Sequence, residues 1–168
     1  MLVVLMFAGH ETTTNALGNI LLLLSWHPEV WDAIRRDPSR IPAVIEEGLR
    51  AAAPVVAMMR TSVADAEIGG VVVPAGARML VLFASANRDE RVFPDPDRFD
   101  PTRPNLEQQI AFGRGIHFCV GASLARMELR VALETLAARV PALRLEATPE
   151  FRVELIHRGP MRLDLAWN

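Results

Sequence analysis

Phe112-Gly113-Arg114-Gly115-Ile116-His117-Phe118-Cys119-Val120-Gly121, running on into Ala122-Ser123-Leu124-Ala125-Arg126, sets the chain's one cysteine between a glycine-bearing loop and the start of a helix. A sulfur at that place sits by free helix-terminal amides, where the backbone dipole favours an anion. Gly113, Gly115 and Gly121 allow backbone turns and close approach to a flat partner. His117 offers a hydrogen bond or a charge to an anionic group. An isolated cysteine is most often a small buried hydrophobe. The spacing of its neighbours is what lifts Cys119 above that reading.

Phe-Gly-x-Gly-x-His-x-Cys-x-Gly-x-x-Leu-Ala-Arg, from Phe112 to Arg126, resembles the haem-binding loop of the cytochrome P-450 monooxygenases. The resemblance implies that Cys119 is the thiolate ligand of the iron of haem b. It places His117 beside a haem propionate and Phe112 against the ligating sulfur, with Gly113 and Gly121 shaping the loop. A thiolate axial ligand pushes electron density onto iron and favours O–O cleavage.

Ala8-Gly9-His10-Glu11-Thr12-Thr13 is similar to the oxygen-activation segment of the same family. Gly9 and Thr12, three residues apart, share a helix face with Leu5, Ala8 and Ala16. By resemblance Ala8 and Gly9 leave room over the haem. Thr12 offers a hydroxyl there, and Glu11 fills the acid position, where many members carry Asp. Glu11 and Thr12 are then the residues that order water and deliver protons. The competing reading is a hydroxyl that bonds back to its own helix. A zinc-protease reading of His10-Glu11 fails, because His-Glu-x-x-His needs histidine where Thr14 stands. The remaining histidines show no zinc-ligand spacing with Cys119.

Glu47-Gly48-Leu49-Arg50 taken alone is an ordinary i, i+3 ion pair. In the family the same Glu-x-x-Arg is buried and joined by a basic residue from a later irregular segment. Phe93-Pro94-Asp95-Pro96-Asp97-Arg98-Phe99 looks like that segment, and Arg98 fits the third position. Glu47, Arg50 and Arg98 are expected to be structural, holding the cysteine loop. Arg60, in a predicted strand, points by resemblance to a haem propionate, where a guanidinium gives charge-assisted bonds. Val55, Val56 and Ala57 are expected to line the substrate side. Arg114 and Arg130 are candidates for docking an acidic electron donor, or plain solvated arginines.

Hydrophobic residues make up 51% and charged residues 23% of the 168, which excludes disorder as a description of the whole. The net charge of −2 gives no electrostatic case for nucleic acid. Every one of the 18 cationic side chains is arginine. A single cysteine excludes an internal disulfide and fits a reducing, cytoplasmic setting. Two apolar stretches, 1–9 and 16–24, are split by His10-Glu11-Thr12-Thr13-Thr14-Asn15, so no membrane span is expected.

Residues 1–26 read as one helix, apolar on nearly all sides. Pro28 opens a second, to Arg36, and Pro42 a third that stops before Pro54. Met58–Ser62, Glu67–Ile68, Val71–Val73 and Arg78–Phe83 are predicted strands, with a hairpin turn at Gly69-Gly70. Residues 87–105 are predicted irregular. Gly121–Val140 is predicted helical, with Leu124, Met127, Val131, Leu133, Leu136 and Val140 on its apolar side. Arg152–Ile156 and Arg162–Trp167 close the prediction as strands.

The fold class is therefore mainly α with small β-sheets. By resemblance residues 1–168 are the C-terminal, haem-binding portion of the fold, beginning inside the long distal helix, with the N-terminal half absent. Two functional expectations follow. In one, the complete protein is a monooxygenase that inserts one atom of O2 into a small apolar organic substrate. Its electrons come from NAD(P)H through a ferredoxin or flavodoxin. In the other, the chain is a non-catalytic fragment that binds haem weakly or acts only by association. Thiol-based redox sensing at Cys119 is a third possibility that needs neither Thr12 nor Glu47 and Arg50.

Overall fold

The computed structural model describes residues 2–151 and 154–167. Its elements are α1 (Leu2–Trp26), α2 (Pro28–Arg36), α3 (Ile41–Ala51), β1 (Ala57–Thr61), β2 (Ala66–Ile68), β3 (Val71–Val73), β4 (Arg78–Leu82), α4 (Phe83–Ala86), α5 (Ala122–Arg139), β5 (Arg144–Leu145) and β6 (Leu165–Ala166).

Helices α1, α2, α3 and α5 make the core. Ala16, Ile20 and Leu24, spaced four apart on α1, are buried with Trp31 and Ile34 of α2, Ile41, Val44, Ile45 and Leu49 of α3, and Leu129, Leu133 and Ala137 of α5. Each fully buried Leu or Ile contributes roughly 1.5–3 kcal/mol of transfer free energy. The approach of α1 to α3 is close because Gly48 has no side chain. A Cβ there would lie 2.5 Å from Ile20 Cγ1.

The first half of α1 leaves this core: Leu5, Met6 and Phe7 are exposed. No helix among the described residues is long and apolar enough to cross a membrane, in line with the expectation from sequence.

The described residues form three two-stranded antiparallel sheets. β1 pairs with β4 from Ala57↔Leu82 to Thr61↔Arg78. β2 and β3 form the expected hairpin, with Gly69 and Gly70 at φ +58° and +80°, the doubly positive turn that matches strand twist. β5 pairs with β6.

Three expectations change. The last predicted strand shrinks to Leu165–Ala166. In the strand predicted over Arg152–Ile156, residues 152 and 153 lie outside the described residues, and 154–156 are not a strand. The chain there docks by single bonds instead: the Val56 N–H donates to Ile156 O at 2.8 Å, and Val55 bridges His157. On α5, Leu124, Met127 and Val131 are exposed, while Ala122, Leu129, Leu133 and Ala137 are buried. The helix carries apolar residues on two faces, and α1 and α3 cover only one of them.

Candidate functional site

The cysteine loop runs from Ala111 to Gly121. Its path depends on two glycines, Gly113 and Gly115, at φ +71° and +73°, a region that side chains rarely enter. A 3-10 turn, Gly115–His117, follows. The Cys119 N–H then donates to Phe112 O at 3.0 Å, which closes the loop and sets the sulfur at the mouth of α5. Cys119 is a free thiol and exposed. Its Sγ lies beside Gly121, 3.9 Å from where a Cβ would be. Ile116, Phe118 and Val120 are exposed around it, and so is His117. Phe112 is partly buried, its ring tilted against Phe118.

On α1, Ala8 and Gly9 are exposed and Glu11 and Thr12 partly buried. A Cβ on Gly9 would meet nothing within 4 Å. The Thr12 hydroxyl donates to Ala8 O at 2.7 Å, the back-bond to its own helix. That commits its proton and leaves its lone pairs to accept. Gly9 also lines a cleft of about 200 Å³ with Thr13, Leu17, Glu128 and Leu129, between α1 and α5. Ligand pockets run to roughly 300–1,000 Å³, so this cleft alone is smaller than that range. Arg60, on β1, is half-buried and donates to the neighbouring Met59 O at 2.9 Å.

The donor set suits haem. It offers one soft sulfur, exposed and fixed by the backbone. Apolar side chains surround that sulfur, a glycine opens α1, and His117 and Arg60 carry polar heads for carboxylates.

Glu47 and Arg50 are both wholly buried and form a two-pronged pair, Nε to Oε2 at 2.6 Å and Nη2 to Oε1 at 2.8 Å. The other bonds of Arg50 go to the carbonyls of Asn87 at 2.9 Å, Pro96 at 2.9 Å and Arg98 at 3.1 Å. All five N–H donors of the guanidinium are thereby used.

The third cation is Arg103, which corrects the expectation for Arg98. The Arg98 side chain is 69% exposed and lies 3.6 Å from Asp100, whereas Arg103 is 7% exposed and its Nε donates to Glu47 Oε1 at 3.3 Å. The cause is local. Phe99 turns inward, so its neighbour Arg98 turns out and presents only its carbonyl. Asp100 then caps a turn through the N–H and hydroxyl of Thr102 and returns Arg103 to the core. The signal in the sequence was Asp100-Pro101-Thr102-Arg103-Pro104, a turn-former followed three residues later by a cation.

Two further groups were not visible in sequence. Glu46 clamps Arg126 of α5 at 2.6 and 3.0 Å. His157 comes to α1 with its ring edge-on to Phe7, centroids 5.8 Å apart. It brings its ring nitrogen and carboxylate oxygens of Glu11 and Glu154 within 4.8 Å of one another. Residues more than 140 positions apart leave no local pattern. Arg114 donates to Gln108 O at 3.4 Å, and Arg130 pairs with Glu134 at 2.7 Å on the surface.

The comparisons with known proteins bear on the family. The Cytochrome P450 family model matches residues 1–139. The chain is 48% identical over 147 residues to erythromycin C-12 hydroxylase of Saccharopolyspora erythraea, covering 87% of this chain and 37% of that protein. It is 45% identical over 132 residues to linalool 8-monooxygenase of Pseudomonas putida, covering 79% and 32%. The solved structure of cytochrome P450 CREJ in complex with (4-ethylphenyl) dihydrogen phosphate superposes with a TM-score of 0.96 at 41% identity, covering 99% of this chain and 42% of that one. The chain therefore spans roughly a third to two-fifths of the length of these proteins. By its cysteine loop, its fold and these matches, the chain belongs to the cytochrome P450 family.

Proposed function

We propose that this chain is the haem-bearing, C-terminal portion of a monooxygenase that inserts one atom of O2 into an apolar organic substrate. In this reading electrons come from NAD(P)H through a ferredoxin or flavodoxin. The observation that carries it is Cys119: an exposed thiol, backbone-fixed to Phe112 O, in a loop turned by two positive-φ glycines. A haem held there supplies O2 activation, favoured by electron donation from the sulfur.

The rest is work for the chain's own side chains. Cys119 holds the iron and Phe112 shields the sulfur. His117 and Arg60 bind the propionates by charge-assisted bonds. Ala8 and Gly9 keep the other side clear. With its proton on Ala8 O, Thr12 holds a water by accepting from it. Glu11, one residue earlier, would pass a proton taken from solvent on to that water. Val55 and Val56 present apolar surface to the substrate.

A second reading is that the 168 residues alone hold haem weakly and act by association. It is favoured by the exposed Leu5, Met6, Phe7, Ile116 and Val120, since clustered apolar surface marks contact sites.

The carbon monoxide difference spectrum of the reduced, haem-supplemented protein decides. A strongly red-shifted Soret band that disappears in Cys119→Ala is expected. No bound haem, or a band typical of histidine ligation, would mean that the loop does not build the thiolate site in this chain.

A further inference from the structure

The geometry points to Arg126 as a positioning residue that tunes the Cys119 sulfur, set in place by Glu46; this rests on the haem reading above. Arg126 lies on the second turn of α5, and its guanidinium stacks over the Phe112 ring, 4.5 Å from the centroid. Glu46, on α3, grips it with both carboxylate oxygens, Oε1 from Nε at 2.6 Å and Oε2 from Nη2 at 3.0 Å. Gln109 ties the same carboxylate to the cysteine loop. Its Nε2 donates to Glu46 Oε2 at 2.9 Å, and its Oε1 accepts from the Ala111 N–H at 2.6 Å. Phe112 then accepts the Cys119 N–H. A charged brace therefore runs from α3 through Arg126 to the residue that bonds the cysteine backbone.

The brace has an electrostatic side as well as a mechanical one. The Glu46 carboxylate holds the Arg126 guanidinium above its ordinary pKa. Stacked on Phe112, whose carbonyl accepts the Cys119 N–H, that fixed charge stands on the cysteine's own loop. A fixed positive charge near a ligating thiolate draws electron density from it and stabilises the reduced metal. Such outer-shell groups tune a metal's potential. Glu46 opposes this effect by partly cancelling the same charge. A purely mechanical brace makes no distinction between its two ends. An electrostatic one does.

The test compares midpoint reduction potentials and carbon monoxide spectra of the haem-loaded protein in three variants. Arg126→Gln removes the cation and is expected to shift the potential to more negative values. Glu46→Gln unmasks the cation and is expected to shift it the other way. Arg126→Lys keeps the charge without the fork or the stack, and is expected to stay near the wild-type potential. Shifts of opposite sign in the two glutamine variants support the inference. Equal potentials, or shifts of one sign in both, overturn it. If Arg126→Gln does not fold, the sign of the Glu46→Gln shift still decides. A wild-type protein lacking the thiolate-type band would overturn the haem reading and this inference with it. A wild-type band with unmoved potentials would overturn this inference alone.

Discussion

Arg98 and Arg103 are five positions apart in one irregular segment, yet one is solvated and the other seals a buried carboxylate. Removing one partner of a buried pair leaves an uncompensated charge and costs about 3–5 kcal/mol. Glu47→Gln and Arg50→Met are therefore expected to lower stability by that order in chemical denaturation. Arg103→Ala, which strips one cation from a carboxylate that keeps another, should cost less than either. Arg98→Ala should fall within about 0.5 kcal/mol of wild type, as surface changes do, because its structural bond is made by the backbone carbonyl. If Arg98→Ala cost as much as Arg103→Ala, the assignment made here would be wrong. Sequence reading found the Glu47–Arg50 pair because a helix puts i and i+3 side by side. It missed Arg103 because which residue of an irregular segment turns inward depends on Phe99 finding the core, a tertiary event.

Among the elements, α1 is the one on which most depends. Its second half packs on α3 through Gly48, which sits under Ile20. Gly→Ala within a helix ordinarily gains about 1 kcal/mol. Here the added methyl would meet Ile20 at 2.5 Å, and overpacking of a tight core costs about 1–3 kcal/mol. Gly48→Ala is thus expected to be neutral to destabilising, with a lower thermal midpoint than the propensity gain alone would give. A clear rise in the midpoint would show that α1 and α3 part easily. The C-terminal segment holds α1 at a second point, where Asn19 Nδ2 donates to Ala52 O and Arg158 O, each at 2.9 Å. Helix limits were legible to within a residue or so, since Pro28, Pro42 and the cysteine loop mark them. The faces of α5 were not, because Leu124, Met127 and Val131 carry the same apolar signal as Leu129 and Leu133. Only the neighbours decide which set is covered.

For the whole molecule, two carboxylates of the irregular stretch between α4 and the cysteine loop contribute to acid sensitivity. Bonds from Arg91 hold the Asp89 carboxyl at about 2, against an ordinary 3.8. The Thr102 hydroxyl, helped by the charges of Arg98 and Arg103, lowers that of Asp100. Both groups have a lower pKa folded than unfolded. The contribution of Asp89 is complete above about 3.8 and is lost as pH falls toward about 2, and that of Asp100 is likewise lost as acid carries the pH below its ordinary value. Thermal midpoints measured across that window should drop with acid, and Asp100→Asn should flatten the drop. A variant curve parallel to wild type would remove Asp100 from the account.

The five bonds of Arg50 draw mostly on the backbone. Three of its acceptors are main-chain carbonyls in a stretch crowded with proline, and proline gives up its N–H but keeps its C=O. A guanidinium only donates, and such a stretch has acceptors to spare. At Arg98 the path of the chain is thus written into an atom that every amino acid shares, so the exposed side chain displayed there is free to drift over generations while the trace beneath it stays the same.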